Sequence, residues 1–273
     1  MSDAVFVENL EKYFPPALAG WRAMLQPLAQ PTLLALNGVT LSVGRGEAMA
    51  VIGSNGAGKS TLLRILATLI LPTRGRALVA GFDVERKPAR VRQQIGYHTG
   101  SEPGFYGRLT ARENLEFFAT LNNLVGAEAS RSIARVVDLL GLGAVLDQQV
   151  LTLSTGMIHR LGLARTLLHA PAVLLFDEPT LSLDPLTAGE FRRFLRNDLV
   201  RQQGSTLLFA THTLSEVGEL ADRVAVLHAG QLLGCDTPRG LLVSTGAATL
   251  EQALERLTLP RLRDAAAATE LAR

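Results

Sequence analysis

Nine consecutive residues constrain this chain more than any others: Gly53-Ser54-Asn55-Gly56-Ala57-Gly58-Lys59-Ser60-Thr61. They follow a short apolar run, Ala48 to Ile52, and lead into a helical pattern that begins at Lys59. Strand, glycine-rich turn and helix in that order make a phosphate-binding loop. The glycines let the backbone wrap closely with its N–H groups turned inward, and the helix adds its positive end. In such a loop Lys59 reaches the β- and γ-phosphates of a nucleotide, and the Ser60 hydroxyl ligates Mg2+. An ordinary glycine-rich turn does not account for the Lys-Ser pair at that offset.

The rest of the chain supplies the layers that such a loop needs. Ala172 to Phe176, Thr206 to Phe209 and Val224 to Leu227 are continuous apolar runs, as expected of parallel strands buried on both faces. Leu36 to Val43 alternates instead and reads as an antiparallel strand with one exposed face. Helical patterns occupy Lys59 to Leu69, Ala111 to Leu121, Ser130 to Leu140, Met157 to Leu168, Thr187 to Val200 and Leu214 to Leu220. The fold class is therefore α/β, with a largely parallel central sheet. The block from about 100 to 170 holds several helices and no convincing strand, and reads as an inserted helical subdomain. The main domain is expected to span 1–240, with a short helical tail over 241–273 that is frayed or disordered from Arg261 to Arg273. Between Phe14 and Thr32 lies a Pro-bounded insert with Trp21, Met24, Leu25 and Leu28 at helical spacing, ended or kinked by Pro27 near its last turn. It reads as a cover for an edge of its own sheet, with a contact to a partner subunit or a membrane surface as the alternative.

Composition removes several function classes. Lys+Arg is 27 and Asp+Glu 25, so the net charge of +2 gives no footprint for nucleic acid. Cys235 is the single cysteine, which excludes an intramolecular disulfide and a multi-cysteine metal site. The mean hydropathy of +0.21 calls for a search for a membrane span. Leu62 to Leu71 is broken by Arg64, and the run from Ala172 stops at Asp177. Neither approaches the ~18 apolar residues that a spanning helix needs. The start, Met1-Ser2-Asp3-Ala4, lacks the basic and apolar regions of a signal peptide. The expectation is a chain kept in the cytosol, with any membrane span supplied by another polypeptide.

A second constellation lies at the end of the Ala172 run, where Val173-Leu174-Leu175-Phe176 is followed by Asp177-Glu178. Beside a phosphate loop, Asp177 is placed to hold Mg2+, and Glu178 to orient or deprotonate a water in line with the γ-phosphate.

With these motifs the chain resembles the nucleotide-binding subunits of ABC transporters, from about Val5 to Gly234. Leu153-Ser154-Thr155-Gly156-Met157 resembles the family's signature motif, Leu181-Ser182-Leu183-Asp184 its D-loop, and His212 its switch histidine. Phe14 aligns best with the aromatic that stacks on adenine, and Tyr13 is the alternative. The resemblance implies a P-loop NTPase cassette with a RecA-like sheet core, an antiparallel β subdomain and the inserted helical subdomain. It implies an ATPase using ATP and Mg2+, with Lys59, Glu178 and His212 catalytic and Ser60 and Asp177 on the metal. Nucleotide contacts are then expected from Phe14, Gly53, Ser54, Asn55, Gly56, Ala57, Gly58, Lys59, Ser60 and Thr61. Asp184 is expected among these contacts too, and Ser154 and Gly156 complete the site from a second copy of the chain. The implied setting is the cytoplasmic face of the cell membrane, beside an integral membrane permease that docks near Leu109 to Leu121, a segment that reads equally as a core helix.

The chain also departs from the family pattern. No glutamine follows the strand from Gln94 to Tyr97, where the sequence reads His98-Thr99-Gly100-Ser101-Glu102-Pro103, so that Ser101 or Glu102 is left to substitute. Thr155 and Met157 replace the usual glycine and glutamine of the signature. The Ser-Thr-Gly-Met form and the run from Phe105 to Asn114 resemble the branch that powers ABC-2-type exporters of drugs, lipids, polysaccharides or ions. An importer ATPase and a soluble ABC ATPase outside transport are the alternatives.

Overall fold

Alternating and continuous apolar runs end up in different sheets of the computed structural model, which describes residues 3–14, 33–100, 104–181 and 183–259. The alternating strands β1 (Val5–Phe14) and β2 (Leu33–Val43) join β4 (Arg74–Val79) and β5 (Phe82–Asp83) in an antiparallel sheet of order β2-β1-β4-β5. The continuous runs build a six-stranded sheet from β3 (Ala48–Ile52), β6 (Ile95–Thr99), β7 (Val173–Asp177), β8 (Thr206–Thr211), β9 (Arg223–His228) and β10 (Gln231–Asp236). Its order is β10-β9-β3-β8-β7-β6, parallel throughout except for the edge strand β10.

The two-residue period of a strand divides the core between the faces of this sheet. Ala48, Ala50, Ile52, Leu174, Phe176, Leu207 and Phe209 point to one face, where they meet the helical block. Met49, Val51, Val173, Leu175, Leu208 and Ala210 point to the other, where they meet α1 (Lys59–Leu66) and the antiparallel sheet. Every residue of β3, β7 and β8 is buried, which is why these runs carry no alternation.

After α2 (Pro88–Gln94) and β6, the chain leaves the sheet to form α3 (Ala111–Leu121), α4 (Gly126–Leu140) and α5 (Thr155–Leu167) before it returns as β7. Among the described residues from 104 to 170 the only strand-like pairing is one bridge, Thr110 to Gln149. Thr110 and Glu113 form a reciprocal cap at the start of α3. Buried Asn114 fastens the preceding loop by accepting from Tyr106 N at 2.9 Å and donating to Thr110 O at 2.9 Å.

Element ends differ from the sequence reading where local geometry intervenes. Helix α1 stops at Leu66 rather than Leu69, and Thr68 beyond it lies at φ 60. The Ser154 side chain caps α5, which therefore starts at Thr155 rather than Met157. Helix α6 (Pro185–Phe194) starts behind its cap Asp184 and passes into a π-helical segment, Leu195–Gln202, so the expected single helix changes winding midway. Helix α4 begins at Gly126, four residues ahead of the expected Ser130. After α7 (Leu214–Leu220) and β9–β10, the described residues end in α8 (Pro238–Thr245) and a helix over 250–259. Leu250, Leu254 and Leu257 of that helix pack on the main core, and Ala253 is buried. The insert between Phe14 and Thr32 and the stretch from Arg261 to Arg273 lie outside the described residues. Among the described residues, no helix is long and apolar enough to cross a membrane.

Candidate active site

Strands β3, β8 and β7 are neighbours, and their C-terminal ends lie level: Ile52 pairs with Thr211, and Ala210 with Asp177. Adjacent strands sit about 4.8 Å apart, so the three ends fall within about 10 Å. The first end continues into the phosphate loop, the second into His212, and the third into Asp177-Glu178. Crevices at the carboxyl ends of parallel strands are where open α/β sheets bind ligands.

Helix α1 opens on Gly58 at φ 105, with no side-chain cap on its first turn. A Cβ at Gly58 would stand 2.5 Å from Ala35 O, so the loop can approach β2 this closely only with glycine there. Its uncapped N–H groups are therefore open to an anion. Lys59 is only 6% exposed, and its ammonium donates to Gly53 O at 2.8 Å and Ser54 O at 3.1 Å. Burial draws the Lys59 pKa down, while the charges of Glu178 and Asp177 act the other way. The Ser60 hydroxyl donates to Asp177 Oδ1 at 3.0 Å and ties α1 to the end of β7. Burial pushes the Asp177 carboxyl up, and the Ser60 hydrogen bond partly offsets this.

Glu178 lies in the left-handed region at φ 53. Its N–H donates to Ala210 O at 2.9 Å, and its Oε2 is 2.8 Å from His212 Nδ1. A cleft of about 380 Å3 opens over the loop, lined by Phe14, Leu33 to Ala35, Asn55 to Thr61 and Glu178. Phe14 is thus the aromatic of the pair that lines the cleft, with Lys12 Nζ 5.0 Å from its ring centre. A cavity of about 420 Å3 at the opposite, N-terminal ends of the strands, by Ala172 and Thr206, contains none of these groups.

Gly53 and Ser54 enter the site as the carbonyls that hold Lys59. Ser154, Gly156 and Asp184 do not line this cleft. Ser154 caps α5, accepting from Met157 N at 3.3 Å, and Asp184 caps α6, accepting from Leu186 N and Thr187 N at 3.1 Å each. Ser101, Glu102 and Pro103, at the position of the missing glutamine, lie outside the described residues. The preceding Gly100 donates its N–H to Asp177 O at 3.0 Å.

The turn after β7 is held by Gly100, which opens the stretch 100–102 where the glutamine is missing, and by two residues that no motif marks: His159, which approaches Pro179 O, and Glu216, which accepts from Thr180 Oγ1. Each reaches that turn from a different element, and only Gly100, beside the expected glutamine position, stood near a motif.

Comparison with known proteins agrees with this geometry. The family profile described as ABC transporter matches residues 36–181. The ABC transporter ATP-binding protein NatA of Bacillus subtilis (strain 168) is 38% identical over 199 residues, covering 73% of this chain and 80% of that protein. The daunorubicin resistance ATP-binding protein DrrA2 of Streptomyces coeruleorubidus is 41% identical over 229 residues, covering 84% of this chain and 70% of that protein. Among solved structures, the dimeric ATP-binding cassette MJ0796 bound to ADP and phosphate superposes with a TM-score of 0.71 at 24% identity, over 85% of this chain and 98% of that one. A phosphate loop, a paired acidic strand end and a facing histidine on the sheet of an ATP-binding cassette leave one assignment: the chain belongs to the ABC transporter ATP-binding family and is an ABC ATPase.

Proposed function

We propose that two copies of this chain bind ATP and Mg2+ between them and drive a separate integral membrane permease of the ABC-2 type in export. The observation that carries the ATP chemistry is the meeting of Lys59, Asp177, Glu178 and His212 at the ends of three adjacent strands. Lys59 exchanges the carbonyls of Gly53 and Ser54 for phosphate oxygens, and the N–H groups of the α1 first turn take the rest of the negative charge. Ser60 and Asp177 present hard oxygens 3.0 Å apart, a donor pair that suits Mg2+ held jointly with phosphates. When bound, the ion neutralises phosphate charge.

His212 holds one oxygen of Glu178, which leaves the other to orient water and take its proton. Ser154, Gly156 and Asp184 lie outside their own chain's cleft, and in this reading they close the partner's. The dimeric form of the solved cassette supports that arrangement. The naming of DrrA2 for drug resistance supports export. Tyr106, Phe117 and Leu121 are exposed on the helical block, with the Tyr106 and Phe117 rings edge to face at 5.1 Å, and offer the permease an apolar surface at the cytoplasmic face of the membrane.

Glu178→Gln tests the chemistry. ATP affinity stays, turnover falls about 10²- to 10⁴-fold, and size-exclusion chromatography shows a dimer on adding ATP. Normal hydrolysis by this variant places the base elsewhere. Recovery of a membrane subunit with the tagged chain from detergent extracts tests the permease, and a chain that purifies alone counts against it.

A further inference from the structure

The turn after β7 is held residue by residue from four directions. Asp177 O accepts from Gly100 N, and Glu178 N donates to Ala210 O. Pro179 O lies 2.9 Å from His159 Nε2, and Thr180 Oγ1 donates to buried Glu216. Glu178, at φ 53, occupies a conformation that a residue with a Cβ keeps only when its surroundings over-determine it.

One of these holds differs in kind. Gly100 and Ala210 belong to the sheet end and Glu216 to α7, whereas His159 stands on α5, the helix that Ser154 caps. At 1.5 Å per residue, His159 lies only about 7.5 Å along the helix from that cap. Its ring is fixed edge-on between Phe191, with centroids 4.7 Å apart, and His98, at 5.1 Å. The hydrogen-bond pattern also dictates tautomers. Pro179 O can only accept, so His159 Nε2 carries a proton. His98 Nε2, 3.4 Å from that nitrogen, then presents its lone pair, which leaves the His98 proton on Nδ1, a buried atom with no hydrogen-bond partner. Burial keeps both rings neutral.

The geometry points to His159 as a positioning residue for Glu178, coupling the capped end of α5 to the catalytic turn of the same chain through the Pro179 carbonyl. This rests on the reading that Glu178 is the base and that the start of α5 meets the partner's nucleotide. Movement of that helix end on nucleotide closure is then delivered to Glu178, so that the pocket which α5 completes and the pocket which Glu178 serves are mechanically linked.

The test compares His159→Leu, which fills the space without a donor, with His159→Gln, which keeps one. His159→Leu lowers kcat about tenfold or more, since small displacements at a reacting centre are costly, and leaves KM for ATP within about twofold. His159→Gln recovers at least half of the loss on a logarithmic scale, and thermal melting checks that both fold. A Leu variant with wild-type kcat, or a Gln variant as slow as the Leu variant, overturns the assignment. Should His159→Leu not fold, 15N spectra of histidine-labelled wild-type protein decide. Nε2–H on His159 with Nδ1–H on His98 supports the coupling, and the reverse tautomers refute it. Loss of turnover in Glu178→Gln beside full turnover in His159→Leu sinks the coupling alone. Full turnover in Glu178→Gln sinks the reading beneath it.

Discussion

Gly100→Ala is a one-carbon change whose consequence is set by distances at the site. The added Cβ would stand 2.2 Å from Glu178 O and 2.8 Å from Leu181 Cβ. Carbon and a carbonyl oxygen ordinarily approach to about 3.3 Å, so the Glu178 carbonyl or the end of β6 must retreat by roughly 1 Å. Either movement disturbs the hydrogen bond from Gly100 N to Asp177 O at 3.0 Å and that from Leu181 N to Glu178 O at 3.1 Å. With Glu178 as the proposed base, a 1 Å misplacement costs about 10²-fold in rate, and kcat of Gly100→Ala is expected to fall by that order. Overpacking by one carbon costs about 1–3 kcal/mol, which lowers the melting midpoint of a chain this size by about 2–12 °C. The phosphate loop hangs from β3 and α1, so affinity for nucleotide without Mg2+ stays within about twofold. Phosphate release at saturating ATP, binding of a fluorescent nucleotide and thermal melting together read all three. A wild-type kcat in a variant with a lowered melting midpoint refutes the reasoning, because the strain would then not reach Glu178.

Two further outcomes follow from burial. Asp177→Asn removes a carboxylate whose charged form burial disfavours. It therefore stabilises the nucleotide-free chain by about 0.5–2 kcal/mol, as expected where function costs stability, while Mg2+-dependent nucleotide binding is lost; a lower melting midpoint contradicts this. Burial holds the His98 pKa down at about 3, against an ordinary value of 6.5, so below pH 6.5 the unfolded chain takes up a proton that the folded chain refuses. That stability is fully present above pH 6.5 and drains away as the pH falls toward 3, by about 2 kcal/mol at pH 5. His98→Leu therefore loses less stability than wild type in urea titrations between pH 7 and pH 5, and equal losses count against the assignment.

The phosphate loop was legible in the sequence because its chemistry is contiguous: one stretch supplies the turn, the lysine, the hydroxyl and the helix end. Asp177 and Glu178 were legible because they end an apolar run in a chain that also carries a phosphate loop, and α3 because its apolar period spans Ala111 to Leu121. The chain order, however, runs β3, β7, β8, whereas the sheet order places β8 between the other two, and that order brings His212 to Glu178. Pairing of Phe14 with Leu33 of β2 gave Phe14, rather than Tyr13, its place at the cleft. The left-handed Glu178 and the holds from Gly100, His159 and Glu216 have no local signature, since each joins residues whose separation in the chain carries no period. Residue type and spacing thus set which groups are available for phosphate chemistry. Only the packing of distant elements decides which of them share a pocket and which, like Ser154 and Asp184, are left outside it.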